Sequence, residues 1–202
     1  MISVNFVYLG ATIGVLGSLA YLRDTLRGTT QPNRVSWMLF AVFPLLSAAV
    51  EFHEGVGVRT LTTFIVGFMP LLIFVASFHS PHGVWRIRRL DYVCGVLSLG
   101  GGAVWLVTQR GTVAIVASIV ADALAAVPTL RKGWSHPHTE TLWGYVGAFL
   151  NTTILLLTVD RWTTAEVAFP LYIACITMVE MCLVGLKPGP RLHRRQAHEV
   201  PA

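Results

Sequence analysis

Charged side chains are scarce in this chain of 202 residues: Asp, Glu, Lys and Arg make up 12% of the sequence, whereas hydrophobic residues make up 54%. A soluble domain carries about 25% charged residues. The mean hydropathy is +0.64. This deficit argues against a water-exposed surface over most of the chain and predicts that lipid is its solvent.

Cysteines and catalytic motifs are also scarce. The three cysteines, Cys94, Cys175 and Cys182, lie in apolar runs without metal-ligand spacing, and their odd number does not indicate a disulfide framework. The sequence has no glycine-rich phosphate loop, HExxH pair or nucleophile elbow. We therefore expect that the protein is not an enzyme and holds neither a metal nor another cofactor.

The chain does contain long apolar runs. A membrane-spanning helix needs about 20 mostly apolar residues. Seven runs fit this requirement, at 4–22, 35–52, 60–78, 92–108, 112–130, 141–159 and 165–186. They predict an all-α membrane protein with seven transmembrane helices and short connections.

Basic residues alternate between the connections. One predicted side holds Arg23, Arg27, Arg34, Arg86, Arg88, Arg89, Arg131, Lys132, Lys187, Arg191, Arg194 and Arg195. The other holds only Arg59, Arg110 and Arg161. The positive-inside rule places the basic side in the cytoplasm, with the N-terminus outside and the C-terminus inside a bacterial cytoplasmic membrane. These loops also account for the net charge of +5, so we expect no nucleic-acid partner.

Two distant parts of the chain match each other. Thr25-Leu26-Arg27 recurs as Thr129-Leu130-Arg131. Further matches pair Gly28 with Gly133, Pro32 with Pro137, Trp37 with Trp143 and Phe43 with Phe149. The offset drifts only from 104 to 106, so the second copy carries small insertions. Because the copies begin four crossings apart, both enter the membrane in the same direction.

This repeat predicts two parallel three-helix bundles joined by a linker helix, a 3+1+3 arrangement. The first bundle covers 1–80, and the cytoplasmic loop with the linker helix covers 81–111. The second bundle covers 112–186, and 187–202 form a basic cytoplasmic tail that we expect to be disordered.

With this layout, the N-outside orientation and the run Ala126-Val127-Pro128-Thr129-Leu130-Arg131-Lys132, the chain resembles the PQ-loop superfamily. That superfamily includes the SWEET sugar transporters and, more distantly, the KDEL receptors. Its motif is a proline beside a polar residue near the cytoplasmic end of the first helix. Here Thr129 stands in place of the glutamine of the family, and Gln31-Pro32 has the right residue types in reverse order.

The resemblance implies a transporter of a small polar solute such as a sugar, an amino acid or a vitamin-like molecule. The two bundles would alternate access, with Pro128 and Pro32 as hinges. Pro44 and Pro170 interrupt other spans and are further hinge candidates. A receptor or scaffold of the same fold that transports nothing is the alternative. We expect the solute and membrane lipid as partners, and the sequence leaves open whether the protein forms a homo-oligomer.

Polar residues inside the spans are the candidates for solute binding or proton coupling. Asp122 lies near the middle of span five, where a carboxylate costs at least about 2.5 kcal/mol. A structural hydrogen bond to a threonine or tyrosine is the other interpretation. Asn151, Tyr172 and Glu180 are the remaining candidates, although Glu180 could instead reach the cytoplasmic interface or pair with an arginine there.

Three residues at the ends of spans are candidates for a gate or rim. Glu51 lies at the outer end of span two, beside His53 and Glu54, and could equally form an exposed acidic mouth. Trp37 and Trp143 lie at the cytoplasmic starts of spans two and six, where an interfacial aromatic belt is the alternative.

Overall fold

A computed structural model describes residues 2–53, 57–80, 87–108, 111–160 and 162–192, and these ranges contain helices but no strand. The α-helices are α1 (Phe6–Leu26), α2 (Arg34–His53), α3 (Thr60–Ala76), α4 (Arg89–Thr108), α5 (Gly111–Ser135), α6 (Leu142–Leu157) and α7 (Thr164–Leu186). Single 3₁₀ turns occur at Gly57–Arg59 and Pro137–Thr139. A short helical segment follows at 188–192.

Three helical segments among the described residues are long and apolar enough to cross a membrane: Phe6–Leu26, Gly57–Ala76 and Val167–Leu186. The segments Arg34–Leu45 and Leu142–Leu157 are apolar but shorter. The all-α class and the membrane assignment are therefore confirmed at this level.

The outer surface of the helices is rich in large apolar side chains. Leu16 is 62% exposed, Val96 69% and Phe52 81%. Soluble monomers rarely expose contiguous apolar patches larger than a few hundred Å². Such a surface fits hydrocarbon better than water.

Helix packing follows the same pattern in the two halves of the chain. In the first half, α3 packs against both α1 and α2. In the second half, α7 packs against both α5 and α6. Between the halves, α1 packs extensively on α6, and α2 packs on α5. The helix between the halves, α4, packs on α5 and more weakly on α2.

Small residues allow α1 and α6 to approach closely. A Cβ atom added to Gly17 would lie 2.5 Å from the Trp143 carbonyl oxygen and 2.8 Å from Cα of Gly147. Glycine is therefore the only residue that fits at this crossing without displacement of a backbone. Close backbone approach at small residues is a common way for helices to associate in membranes.

Contacts at one end of the bundle join the N-terminus to two loops. The backbone amide of Ile2 donates to the Leu157 carbonyl oxygen at 3.2 Å. Arg59 donates to the Thr158 carbonyl oxygen and to the Asp160 carboxylate, each at 3.0 Å. The N-terminus, the α2–α3 connection and the α6–α7 connection therefore share one end.

The opposite end carries the α1–α2 and α5–α6 connections. The amide of Gln31, between α1 and α2, donates to the carbonyl oxygen of Thr139, between α5 and α6, at 3.0 Å. Arg34 at the start of α2 donates to the Ser77 carbonyl oxygen, just after α3, at 2.9 Å. This distribution of loops is the one that the alternation of basic residues predicts.

Two helices extend further than the apolar runs suggest. The predicted spans end at 22 and 130, but α1 continues to Leu26 and α5 to Ser135. The repeated Thr-Leu-Arg motif therefore lies at the ends of helices rather than in loops. After α1, Gly28 adopts a positive φ of 76°, which a residue with a Cβ adopts rarely.

Candidate solute-binding site

Residues of six helices line a partly open cavity of about 110 Å³. Its lining comes from α1, α2, α3, α5, α6 and α7, and α4 contributes none of the described residues that line it. An apolar cavity of about 150 Å³ holds one benzene molecule. In this conformation the cavity therefore has room for a few waters or a solute of a few atoms.

Polar side chains from both halves of the chain line this cavity: Ser18, Asp122, Asn151, Thr177 and Glu180. Ser18 on α1 and Asp122 on α5 are aligned in the sequence repeat. The two copies thus present the same position to the cavity, once with a hydroxyl and once with a carboxyl group.

Asp122 is buried, with 5% of its surface exposed. The Tyr172 hydroxyl on α7 donates to Asp122 Oδ2 at 2.8 Å. The expected tyrosine partner therefore exists, and Asp122 also faces the cavity. Tyr172 is not among the described residues that line the cavity. It binds the Asp122 carboxyl group from α7.

Asn151 lies where α6 crosses α1. Its side chain fills the space above two glycines, since a Cβ on Gly10 would lie 3.0 Å from Asn151 Oδ1 and one on Gly14 would lie 3.2 Å from Nδ2. Oδ1 is buried and accepts no hydrogen bond from any residue that the structure describes. A solute in the cavity could supply the missing donor.

Glu180 also lines the cavity and is buried, with 6% exposed. Its Oε1 has no hydrogen-bond donor within the described part of the chain. Glu180 is thus buried in the cavity wall, and its pairing with an arginine stays a prediction.

Aromatic rings form one wall of the cavity. The ring centroids of Tyr21 and Trp37 are 4.5 Å apart, and Tyr145 meets Tyr21 edge-on at 6.2 Å. Trp37 is only 8% exposed and belongs to the core, and its role as a gate residue stays a prediction. Trp143, its partner in the repeat, is 63% exposed.

A buried polar cluster lies between the cavity and the end that carries the α1–α2 and α5–α6 loops. We call it the Lys132 cluster; it consists of Tyr21, Lys132, Glu140 and Tyr145. Glu140 Oε2 accepts hydrogen bonds from the hydroxyls of Tyr21 at 2.6 Å and Tyr145 at 2.8 Å. Glu140 Oε1 lies 2.7 Å from Lys132 Nζ, and the two side chains are 1% and 0% exposed.

Lys132 also ties the first loop to the second helix bundle. Its ammonium donates to the Gln31 carbonyl oxygen. Lys132 follows the predicted span 112–130; burial lowers the pKa of its ammonium group, and the Glu140 carboxylate opposes this shift.

The loop contacts continue outward from the cluster. The Thr141 hydroxyl donates to Asp24 Oδ2 at 2.9 Å and also bonds the hydroxyl of Thr30. The polar contacts therefore run unbroken from the aromatic wall to the loops, and they join residues of the two copies. An opening at this end would have to break them.

The candidate hinge prolines occupy different environments. Pro44, Pro128 and Pro170 lie inside α2, α5 and α7, so Pro128 does not end its helix. Pro44 lines the cavity. Pro32 is buried in the loop before α2. Whether any of them bends during a transport cycle stays a prediction.

The predicted outer acidic rim lies outside the side chains that the structure describes. Position 51 belongs to α2, but the Glu51 side chain lies outside what the structure describes, as does Glu54. The assignment of Glu51 to a gate or rim stays a prediction.

Comparisons with protein-family models, with characterised proteins and with solved structures gave no match to this chain. The argument for a function therefore rests on the cavity and on the chain's own sequence.

Sequence reasoning missed the Lys132 cluster. Lys132 and Glu140 look like solvated loop residues when the sequence is read alone, because both lie in the polar segment between the predicted spans 112–130 and 141–159. One signal was available: the offset between the copies rises from 104 at Arg27 to 105 at Gly28, which marks Lys132 as an inserted residue. It rises again between Pro32 and Trp37, where the second copy carries Glu140.

Proposed function

We propose that the protein transports a small polar solute by alternating access between two three-helix bundles, α1–α3 and α5–α7, with α4 as the linker. The observation that carries this proposal is the cavity between the bundles, which residues of both halves of the chain line. It contains buried acceptor atoms, Asn151 Oδ1 and Glu180 Oε1, that lack donors within the described residues. Buried polar atoms normally have partners, so a solute or water is the natural occupant.

The helix packing supports two related bundles. In each half the third helix contacts both of the others, and α1–α6 and α2–α5 are the corresponding contacts between halves. Rocking of one bundle against the other would change the cavity while leaving the packing within each bundle intact. These features favour the 3+1+3 arrangement that the PQ-loop resemblance implies.

The Lys132 cluster supports a closed gate at one end. Its contacts join α1 and its loop to the end of α5 and the start of α6, and they lie directly below the aromatic wall. On the positive-inside rule this end faces the cytoplasm of a bacterial cell, and the N-terminus is outside. In the transport cycle, release of the solute to the cytoplasm would require separation of Lys132 and Glu140.

Asp122 supports coupling to protons. It is a carboxyl group in the cavity wall with a single hydrogen-bond donor, Tyr172, among the described residues. A group that is alternately enclosed and open to water can bind a proton on one side and release it on the other. Ser18 cannot do so, because a hydroxyl does not ionise in this range.

Uptake by the purified protein in liposomes tests the proposal. Candidate solutes are first ranked by their effect on thermal unfolding, since a ligand of the folded state stabilises it by mass action. We expect a stabilising solute to be exchanged across the liposome membrane, and Asn151→Ala to lower the exchange. Thr153→Ala on the same helix is the matched control, because Thr153 bonds only the Phe149 carbonyl oxygen of its own helix and does not line the cavity.

A solute that stabilises the protein but is not exchanged would contradict transport. That result would favour the receptor or scaffold alternative, in which the same cavity senses a ligand.

A further inference from the structure

The charge balance of the cavity is one-sided. Two acidic residues, Asp122 and Glu180, line it, and no Lys, Arg or His is among the described lining residues. The nearest buried ammonium group, that of Lys132, is engaged with Glu140 and the Gln31 carbonyl oxygen. A buried carboxylate without a cation is costly, so a cation in the cavity would relieve it.

Two residues that line the cavity carry acceptor atoms without a donor. Glu180 Oε1 and Asn151 Oδ1 are both acceptors, both belong to residues more than nine-tenths buried, and both are without a donor in the described part of the chain. An ammonium group carries three N–H donors and no acceptor. Such a group can donate to both oxygens at once, whereas a hydroxyl group carries a single donor. Trp37 Nε1, a donor that also lacks a partner among the described residues, gains no acceptor from this ion.

The aromatic wall suits the same ligand. Tyr21, Trp37, Phe40 and Tyr145 all line the cavity. A cation within about 6 Å of such ring faces is attracted by their quadrupole, most strongly when it is removed from water. The hydroxyls of Tyr21 and Tyr145 donate to Glu140. Their aromatic rings, rather than their hydroxyls, are therefore available to a ligand in the cavity.

We propose that the solute is a small primary ammonium ion, held by Glu180 and Asn151 beside the aromatic wall. This inference rests on the proposed function in taking the cavity as the solute site. The volume of about 110 Å³ limits the ion to a short alkyl chain in this conformation. An anion would meet the two carboxyl groups.

Thermal unfolding of the full-length protein in detergent micelles, with three probes of similar size, tests the charge preference. The probes are ethylammonium chloride, ethanol and sodium acetate, with sodium chloride at equal ionic strength as the reference. We expect the melting temperature to rise with ethylammonium concentration and to saturate, and we expect no saturable rise with ethanol or acetate. Equal or greater stabilisation by ethanol would overturn the proposal, because it would mean that the carboxyl groups act as neutral acids.

A variant then tests the site. Glu180→Gln keeps the shape of the side chain and removes the charge, so ethylammonium affinity should fall at least tenfold. Asp160→Asn is the control, because Asp160 is an exposed carboxylate that pairs with Arg59 at the far end of α6. Unchanged affinity in Glu180→Gln would contradict the assignment. If that variant does not fold, the probe series on the unaltered protein still decides the charge preference.

Radiolabelled methylammonium exchange in liposomes separates this inference from the proposed function. Saturable ethylammonium binding without methylammonium exchange would support the cation site and contradict transport. Exchange of a neutral solute by a protein that ignores both amines would support transport and contradict the cation site.

Discussion

Replacing Lys132 by methionine would leave the Glu140 carboxylate buried without its counter-charge. Both side chains are almost fully buried, and their charged atoms are 2.7 Å apart. Removing one partner of a buried ion pair costs about 3–5 kcal/mol of folding free energy, because the remaining charge is uncompensated. Glu140 keeps two hydrogen bonds from Tyr21 and Tyr145, so we expect Lys132→Met to lie near the lower end of that range.

The reciprocal change should cost at least as much. Glu140→Gln retains a side-chain oxygen that can accept from the two tyrosines, but it removes the carboxylate that lies 2.7 Å from the Lys132 ammonium. In the double variant no buried charge remains at the pair. We therefore expect the double variant to lose less free energy than the two single variants together, with a coupling of about 2 kcal/mol.

The measurement is a double-mutant cycle on unfolding in mixed micelles, followed by helical circular dichroism. The pair Arg59 and Asp160 supplies the control cycle: the charged atoms are 3.0 Å apart, but the side chains are 33% and 75% exposed. Exposed pairs contribute about 0–1 kcal/mol. The two single variants each lose some unfolding free energy. If the sum of these two losses equals the loss in the double variant to within about 0.5 kcal/mol, the side chains of Lys132 and Glu140 do not form a coupled pair and the reasoning is refuted.

Four further predictions follow from the site and the helix contacts. Gly17→Leu should separate α1 from α6 and lower stability by about 1–3 kcal/mol or more in thermal unfolding, whereas Gly100→Ala, where an added Cβ meets nothing within 4 Å, should be tolerated. Tyr172→Phe should cost about 1–3 kcal/mol, because Asp122 then loses its donor; an unchanged melting temperature would contradict that bond. Asp122→Asn should fold but abolish the pH dependence of uptake into liposomes, since an amide cannot release a proton; uptake that still follows a pH gradient would make the carboxyl group structural. A cysteine at exposed Thr29 should react with an impermeant thiol reagent only from the cytoplasmic side, on a background in which the native cysteines are replaced by serine; labelling of intact cells would contradict the N-outside orientation.

The positions of the helices could be predicted from the sequence because each is an apolar run. The ends of the helices could not be predicted in this way, because a charged residue after an apolar run predicts the end of a membrane span. Lys132 follows the predicted end of span five at 130, yet α5 continues to Ser135. The helix can continue because Lys132 finds a buried partner in Glu140, eight positions further along. That partnership depends on tertiary packing and leaves no local periodicity in the sequence.

The polar residues of the cavity were predictable to different degrees. Asp122, Asn151 and Glu180 stand out because each interrupts an apolar run, and all three line the cavity. Tyr172 was expected to face the solute but instead supports Asp122, since sequence alone does not tell which side of a helix meets a neighbour. The aromatic wall was not predicted, because tyrosine and tryptophan near a helix end are equally typical of the membrane interface.

The repeat predicts the packing of the helices better than it predicts the cavity site. The aligned residues Trp37 and Trp143 illustrate the reason. Trp37 is buried because Tyr21 of α1 stacks on it. The residue aligned with Tyr21 in the second copy is Ala125, which offers no ring to Trp143, and Trp143 is exposed. The same asymmetry shapes the cavity, in which the first copy supplies most of the aromatic wall and the second supplies both carboxyl groups. A site for an organic cation needs both features, so neither copy could form it alone. Apart from Trp37, the residues of the proposed site therefore lie at positions where the two copies differ.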